Sequence, residues 1–99
     1  MKLLKITKSD KPDKKMMAVF ETDSGRTKTI HFGAIKNGVP MEDYTIHKDK
    51  ERQKRYIERH SARENFDKPD TAGALSRYVL WSSTSLAGGI RNYKNKFGF

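Results

Sequence analysis

Cysteine is absent from the 99 residues, and disulfides, thiol nucleophiles and every thiolate zinc site are absent with it. Long apolar runs are missing too. No stretch approaches the roughly 20 apolar residues that a membrane-spanning helix requires. The opening Met1-Lys2-Leu3-Leu4-Lys5-Ile6-Thr7-Lys8 breaks its apolar residues with lysines too often for the core of a secretory signal. A cytosolic or nuclear site of synthesis is therefore expected. Acids are scarce: 12 Asp and Glu stand against 21 Lys and Arg, for a net charge of +9.

That imbalance points to an anionic partner. The bases are spread along the chain, with 9 basic against 4 acidic groups in residues 1–36 and 8 against 5 in residues 45–68. No block of five or six like charges occurs, so the bases belong to folded elements rather than to a histone-like tail. Apolar residues make up 34% and charged residues 33%, which leaves material for one core assembled from short clusters. A single domain over residues 1–99 is expected, with a β-meander at 1–33 and a helical part at 45–99.

The first third carries a strand pattern. Leu3–Thr7 ends at Ser9-Asp10-Lys11-Pro12-Asp13, where Pro presets a turn and Ser and Asp can bond nearby backbone groups. Met16–Phe20 ends at Asp23-Ser24-Gly25, a hairpin loop with Gly placed for positive φ. Arg26–Gly33 alternates, with Thr27, Thr29 and His31 on one face and Lys28, Ile30 and Phe32 on the other. Residues 33–45 have no periodicity and read as a loop. A helix follows over Lys48–His60, entered through Thr45 or His47, with Gln53, Tyr56, Ile57 and His60 as a thin buried edge. Thr71 is placed to cap Ala72–Trp81, and Ser85 or Thr84 to start a helix with Leu86, Ile90, Tyr93 and Phe97 on one face. The glycine pair Gly88-Gly89 should weaken that helix unless a close neighbour holds it. The expected fold class is α+β, an N-terminal three-stranded antiparallel sheet packed against two or three C-terminal helices. Trp81, Leu75, Val79, Ile57, Phe20 and Phe32 are expected to share its core.

Four segments carry a resemblance: His31-Phe32-Gly33-Ala34, Asp43-Tyr44-Thr45-Ile46-His47-Lys48-Asp49, Arg55-Tyr56-Ile57-Glu58-Arg59-His60, and Thr71-Ala72-Gly73-Ala74-Leu75-Ser76-Arg77-Tyr78-Val79-Leu80-Trp81. Together they resemble a family of small basic uncharacterised proteins encoded by large DNA viruses of algae and protists, chlorella virus and mimivirus relatives among them. The resemblance implies a viral setting and supplies no activity. The segment Ile35–Met41 is longer than the short glycine turn of that pattern.

No catalytic constellation stands out. His31, His47 and His60 are scattered, no His-x-x-x-His pair occurs, and the acids alternate with bases at ion-pair spacing rather than converging. Ser76, Ser82, Ser83 and Ser85 lie in no Gly-x-Ser-x-Gly turn, and no Gly-Lys-Ser/Thr follows the glycines at 33 and 38. His60 reads as a packed, hydrogen-bonded histidine and His47 as a capping or turn residue. No enzyme activity, metal, cofactor or small-molecule substrate is expected.

Two surfaces are candidates. Lys48, Arg52, Arg55, Arg59 and Arg63 recur at intervals of 4, 3, 4 and 4, a basic stripe suited to phosphates or an acidic partner; the competing role is plain solvation with pairing to Asp49, Glu51 and Glu58. No zinc finger, RNP box or heptad zipper accompanies it, so sequence-specific readout has no support. Tyr44, Phe66, Phe97 and Phe99, with Trp81, exceed what a small core needs and suit a protein interface. The expected function is that of a non-enzymatic structural or interaction protein of a large DNA virus, a minor capsid or other virion component. It would contact other virion proteins or nucleic acid, in the virion or the infected host cell. The alternative is a sequence-nonspecific nucleic-acid-binding protein of the infected cell.

Overall fold

The computed structural model describes residues 1–99, which form two units: residues 1–41 with Phe99, and residues 42–98. The fold class is α+β.

The first unit is an antiparallel sheet of four strands in the order β1-β2-β3-β4: β1 Lys2–Lys8, β2 Lys14–Glu21, β3 Thr27–Lys36 and β4 Val39–Pro40. Its buried face is built on β2, where Met16, Ala18 and Phe20 are buried and Met17 and Val19 are only partly so. Met16 pairs with Phe32 and Ala18 with Ile30, so the apolar face of β3 joins the same layer. In β1 the apolar residues Leu3 and Ile6 are three apart, and a regular strand would send them to opposite faces. The chain resolves this with a bulge: Leu3 pairs with Phe20 and Lys5 with Val19, leaving Leu4 as the extra residue, 47% exposed. Leu3 and Ile6 thus share the face of Phe20 and Ala18. The Phe99 ring lies 6.0 Å from that of Phe20.

The turns use the side chains expected of them. Ser9 Oγ accepts the Lys11 N–H at 3.0 Å, and Gly25 takes φ +84° in the β2–β3 loop. The fourth strand corrects the expected three. Asn37 and Gly38 adopt φ 53° and 76°, the two left-handed residues of a tight hairpin. They turn the chain so that Ile35 pairs with Pro40 and Lys36 with Val39. The β3 strand therefore runs three residues beyond Gly33, whose φ of +80° requires glycine within a strand.

The second unit contains α1 Tyr44–His47, α2 Lys50–Ser61, α3 Ala72–Leu75, a π-helical turn Ser76–Leu80 and α4 Leu86–Phe97. Thr71 and Ser85 cap α3 and α4, accepting the amides of Ala74 at 3.2 Å and Gly88 at 3.0 Å. The entry to α2 differs from the expected one. Asp43 caps α1, Lys48 takes the left-handed conformation that ends it, and Asp49 starts α2 by accepting the amides of Glu51 and Arg52. Ala74, Leu75, Val79, Leu80 and Tyr93 form the interior. Trp81 and Ile57, expected in the core, are half-buried; Phe20 and Phe32 are buried in the sheet unit.

Gly89 explains how α4 tolerates its glycine pair. A Cβ there would run into the Val79 carbonyl, 2.7 Å from its carbon and 3.0 Å from the Tyr78 oxygen. The glycine that weakens the isolated helix is the one that lets it lie directly on the backbone of the π turn.

Candidate functional site

Helix α2 is hydrophilic on all but one edge. Gln53, Tyr56, Ile57 and His60 form that edge, as the spacing predicts, with Tyr56 buried and the others partly so. Gln53 Nε2 donates to the Trp81 carbonyl at 2.8 Å and ties the helix to the end of the π turn.

Along the edge runs a stack of rings. The Tyr56 and Trp81 centroids are 4.0 Å apart with planes at 4°, and the Tyr56 and His60 centroids are 4.1 Å apart at 27°. Two rings at such close stacking distances occupy opposite faces of the phenol, so Tyr56 is sandwiched. His47 extends the row beyond Trp81 at 5.3 Å, with Tyr44 6.2 Å further on. The Tyr56 phenol is pushed well above its usual range, chiefly by burial and then by the Glu64 carboxylate; a hydrogen bond with Ser76 and the charge of Arg77 oppose this.

The basic stripe lies on one shoulder of this edge. Arg52, Arg55 and Arg59 are on α2, with Arg52 and Arg59 as the i−4 and i+3 neighbours of Tyr56. Lys48 is not part of the helix: its left-handed turn places it before the Asp49 cap. Arg63 follows in the turn beyond Ser61, its amide donating to the His60 carbonyl at 3.0 Å. Arg52 is paired with Glu42, Nη1 to Oε2 at 2.7 Å, and this hydrogen bond and the charge behind it hold the Glu42 carboxyl below its usual range. Arg55, Arg59 and Arg63 are exposed.

The acids that were candidates to neutralise the stripe are engaged elsewhere or remain exposed. Asp49 is occupied by the α2 amides, and Glu64 lies 3.4 Å from His60 Nδ1. Glu51 and Glu58 are exposed, at i−4 and i+3 from Arg55 on the same side of the helix. Arg55 and Arg59, one turn apart, stand as like charges at i,i+4 spacing.

The aromatic residues expected at an interface are dispersed. Tyr44 is 6% exposed and belongs to the interior, which removes it as a surface anchor. Phe97 is half-buried, edge-on to Tyr78 at 5.7 Å and 5.0 Å from Tyr93; Phe66 is half-buried in the loop before Pro69; and Phe99 packs on Phe20 in the sheet unit. His47 acts in the turn, its Nδ1 accepting the Asp49 amide at 2.9 Å. His31 bonds Ser9 Oγ at 2.7 Å in the sheet unit. No group of three or more His, Asp or Glu side chains is arranged to hold a metal ion, and no helix is long and apolar enough to cross a membrane.

Sequence reasoning located the arginines and the thin edge but missed the stack. Tyr56 and His60 advertise their contact by their i,i+4 spacing, whereas Trp81 arrives from 25 residues further along the chain.

The family model described as Family of unknown function (DUF5754) matches residues 4–60, more than half of the chain, and the chain belongs to that family. The match runs from β1 into α2 and takes in Arg52, Arg55, Tyr56, Arg59 and His60. No curated protein and no solved structure matches the chain.

Proposed function

We propose that the chain is a non-enzymatic structural or interaction protein that holds a polyanionic partner along the arginine shoulder of α2. The observation that carries this reading is the state of Arg55, Arg59 and Arg63: exposed and close in sequence, with Asp49 committed to the α2 amides and Glu42 to Arg52, while Glu51 and Glu58 stand exposed within a turn of Arg55 and unpaired with it. A row of like charges at helical spacing repels itself, and a polyanion relieves the repulsion while releasing its own counterions. The setting proposed is a large DNA virus, on the resemblance carried by Thr71–Trp81 and the three segments before it. There the protein acts as a minor capsid or other virion component, facing acidic subunits or packaged nucleic acid.

A second reading, sequence-nonspecific binding of nucleic acid in the infected cell, draws on the same row. Mass spectrometry of purified, nuclease-treated particles separates the two, since the first requires the protein to be present in stoichiometric amounts. The site itself is tested by binding across a salt series. An Arg55, Arg59, Arg63 triple-alanine variant should flatten the slope of log affinity against log salt on duplex DNA by about 2.7, roughly 0.9 per lost contact. Equal affinity of variant and wild type for duplex DNA and for polyglutamate would reject this helix as the binding surface.

A further inference from the structure

We infer that the α2 shoulder takes single-stranded nucleic acid, with one base stacked on the His60 ring and the neighbouring phosphates held by Arg59 and Arg63. This rests on the polyanion reading above and names the class of polyanion.

The stack Trp81–Tyr56–His60 is the basis. Tyr56 has both faces covered, at 4.0 and 4.1 Å, so the row ends at His60. Unlike Tyr56, His60 is open to solvent, with 36% of its side chain exposed. The ring lies on Tyr56, and its Nδ1 faces Glu64 Oε2 at 3.4 Å. A ring held in this way pays little further ordering cost when a flat partner adds to the row.

The surrounding charge selects what that partner is. Arg59 precedes His60 and Arg63 follows one turn on, both exposed. Glu64 occupies the Nδ1 edge of the ring, which disfavours a phosphate there and leaves the backbone of a bound strand to the arginine side. A partly exposed flat ring with exposed cations at the i−1 and i+3 positions and an acid at its Nδ1 edge suits an unstacked base attached to a phosphate chain. A duplex keeps its bases stacked on one another and offers no free face, and an acidic peptide has carboxylates without a π surface.

The test measures the affinity of labelled oligothymidylate, an abasic strand of equal length and a duplex for the wild type and its variants at one salt concentration. The wild type should bind oligothymidylate about 5- to 150-fold more tightly than the abasic strand, the range expected for stacking of one base. His60→Ala should erase that preference while leaving affinity for the abasic strand and the duplex unchanged, and His60→Phe should restore it. The triple arginine variant should lose affinity for all three. Equal binding of thymidylate and abasic strands by the wild type, or an equal loss on all three ligands in His60→Ala, would overturn the inference and leave the polyanion reading intact. Binding of polyglutamate but of no nucleic acid would do the same. Unchanged binding by the arginine variant would remove the polyanion reading and the phosphate contacts with it.

Discussion

Tyr56 and Tyr93 withhold their phenols from water, and the consequence appears in alkali. Burial is the main cause at both, reinforced by Glu64 at Tyr56 and by Asp70 at Tyr93, and both are raised above the ordinary value of 10.0. The folded state thus keeps two protons that the unfolded chain releases. Their contribution to stability is intact below about pH 10 and is lost as the pH climbs through the unfolded value toward the folded one. An NMR titration of the tyrosine ring carbons should find Tyr56 and Tyr93 ionising only as the fold is lost; ionisation of both near pH 10 in a folded protein would contradict this. Two further residues set the tolerance of the interior. Leu75 is fully buried, and Leu75→Ala should cost about 2–5 kcal/mol in urea unfolding. Gly89→Ala meets backbone rather than a movable side chain at Val79, so it should cost about 1–3 kcal/mol or more despite the better helix propensity of alanine. A neutral result at either position would mean that the packing is not as described.

Among the elements, those with strong local chemistry were legible in advance. The caps at Thr71 and Ser85, the glycine in the β2–β3 loop, the alternation of β3 and the buried edge of α2 all follow from side-chain types at fixed spacing. Those that depended on a competing signal were not. Residues 33–45 lack periodicity, but Asn37-Gly38 is itself a hairpin signal, because these two residue types best tolerate positive φ in succession. The bulge at Leu4 hides in a three-residue apolar spacing that belongs to neither a strand nor a helix. Two aspartates, rather than Thr45 or His47, open α1 and α2, since a carboxylate is the stronger acceptor for first-turn amides. The stripe was legible as arginines and illegible as a site, because the pairing of Arg52 with Glu42 and the stacking of Trp81 join distant positions. The cap gives a prediction at this scale. Asp49→Ala should destabilise α2 by about 1 kcal/mol, measured as faster amide exchange at Glu51 and Arg52, with exchange in α4 unaffected. Unchanged exchange in the first turn would show that the cap contributes nothing.

For the whole molecule, the +9 charge opposes its own folding and favours its partners. Salt acts on both effects, in opposite directions. Screening of like charges should raise the melting temperature as ionic strength increases from a few millimolar, since the Debye length falls to about 10 Å at 0.1 M, while the affinity for any polyanion should fall over the same range. A melting temperature that declines with added salt would mean that attractive pairs such as Arg52–Glu42 outweigh the repulsion. The placement of the aromatic rings has a separate consequence. Trp81 and all four tyrosines, Tyr44, Tyr56, Tyr78 and Tyr93, lie within residues 42–98, and the sheet unit contains only phenylalanines. Tryptophan emission and the near-ultraviolet dichroism of these rings therefore follow the helical unit alone, quenched or shifted by the stack on Tyr56, while the sheet contributes to the peptide bands and stays dark to fluorescence. The protein carries its own single-unit optical reporter, and any unfolding step seen in the peptide bands without a matching change in emission belongs to the strands.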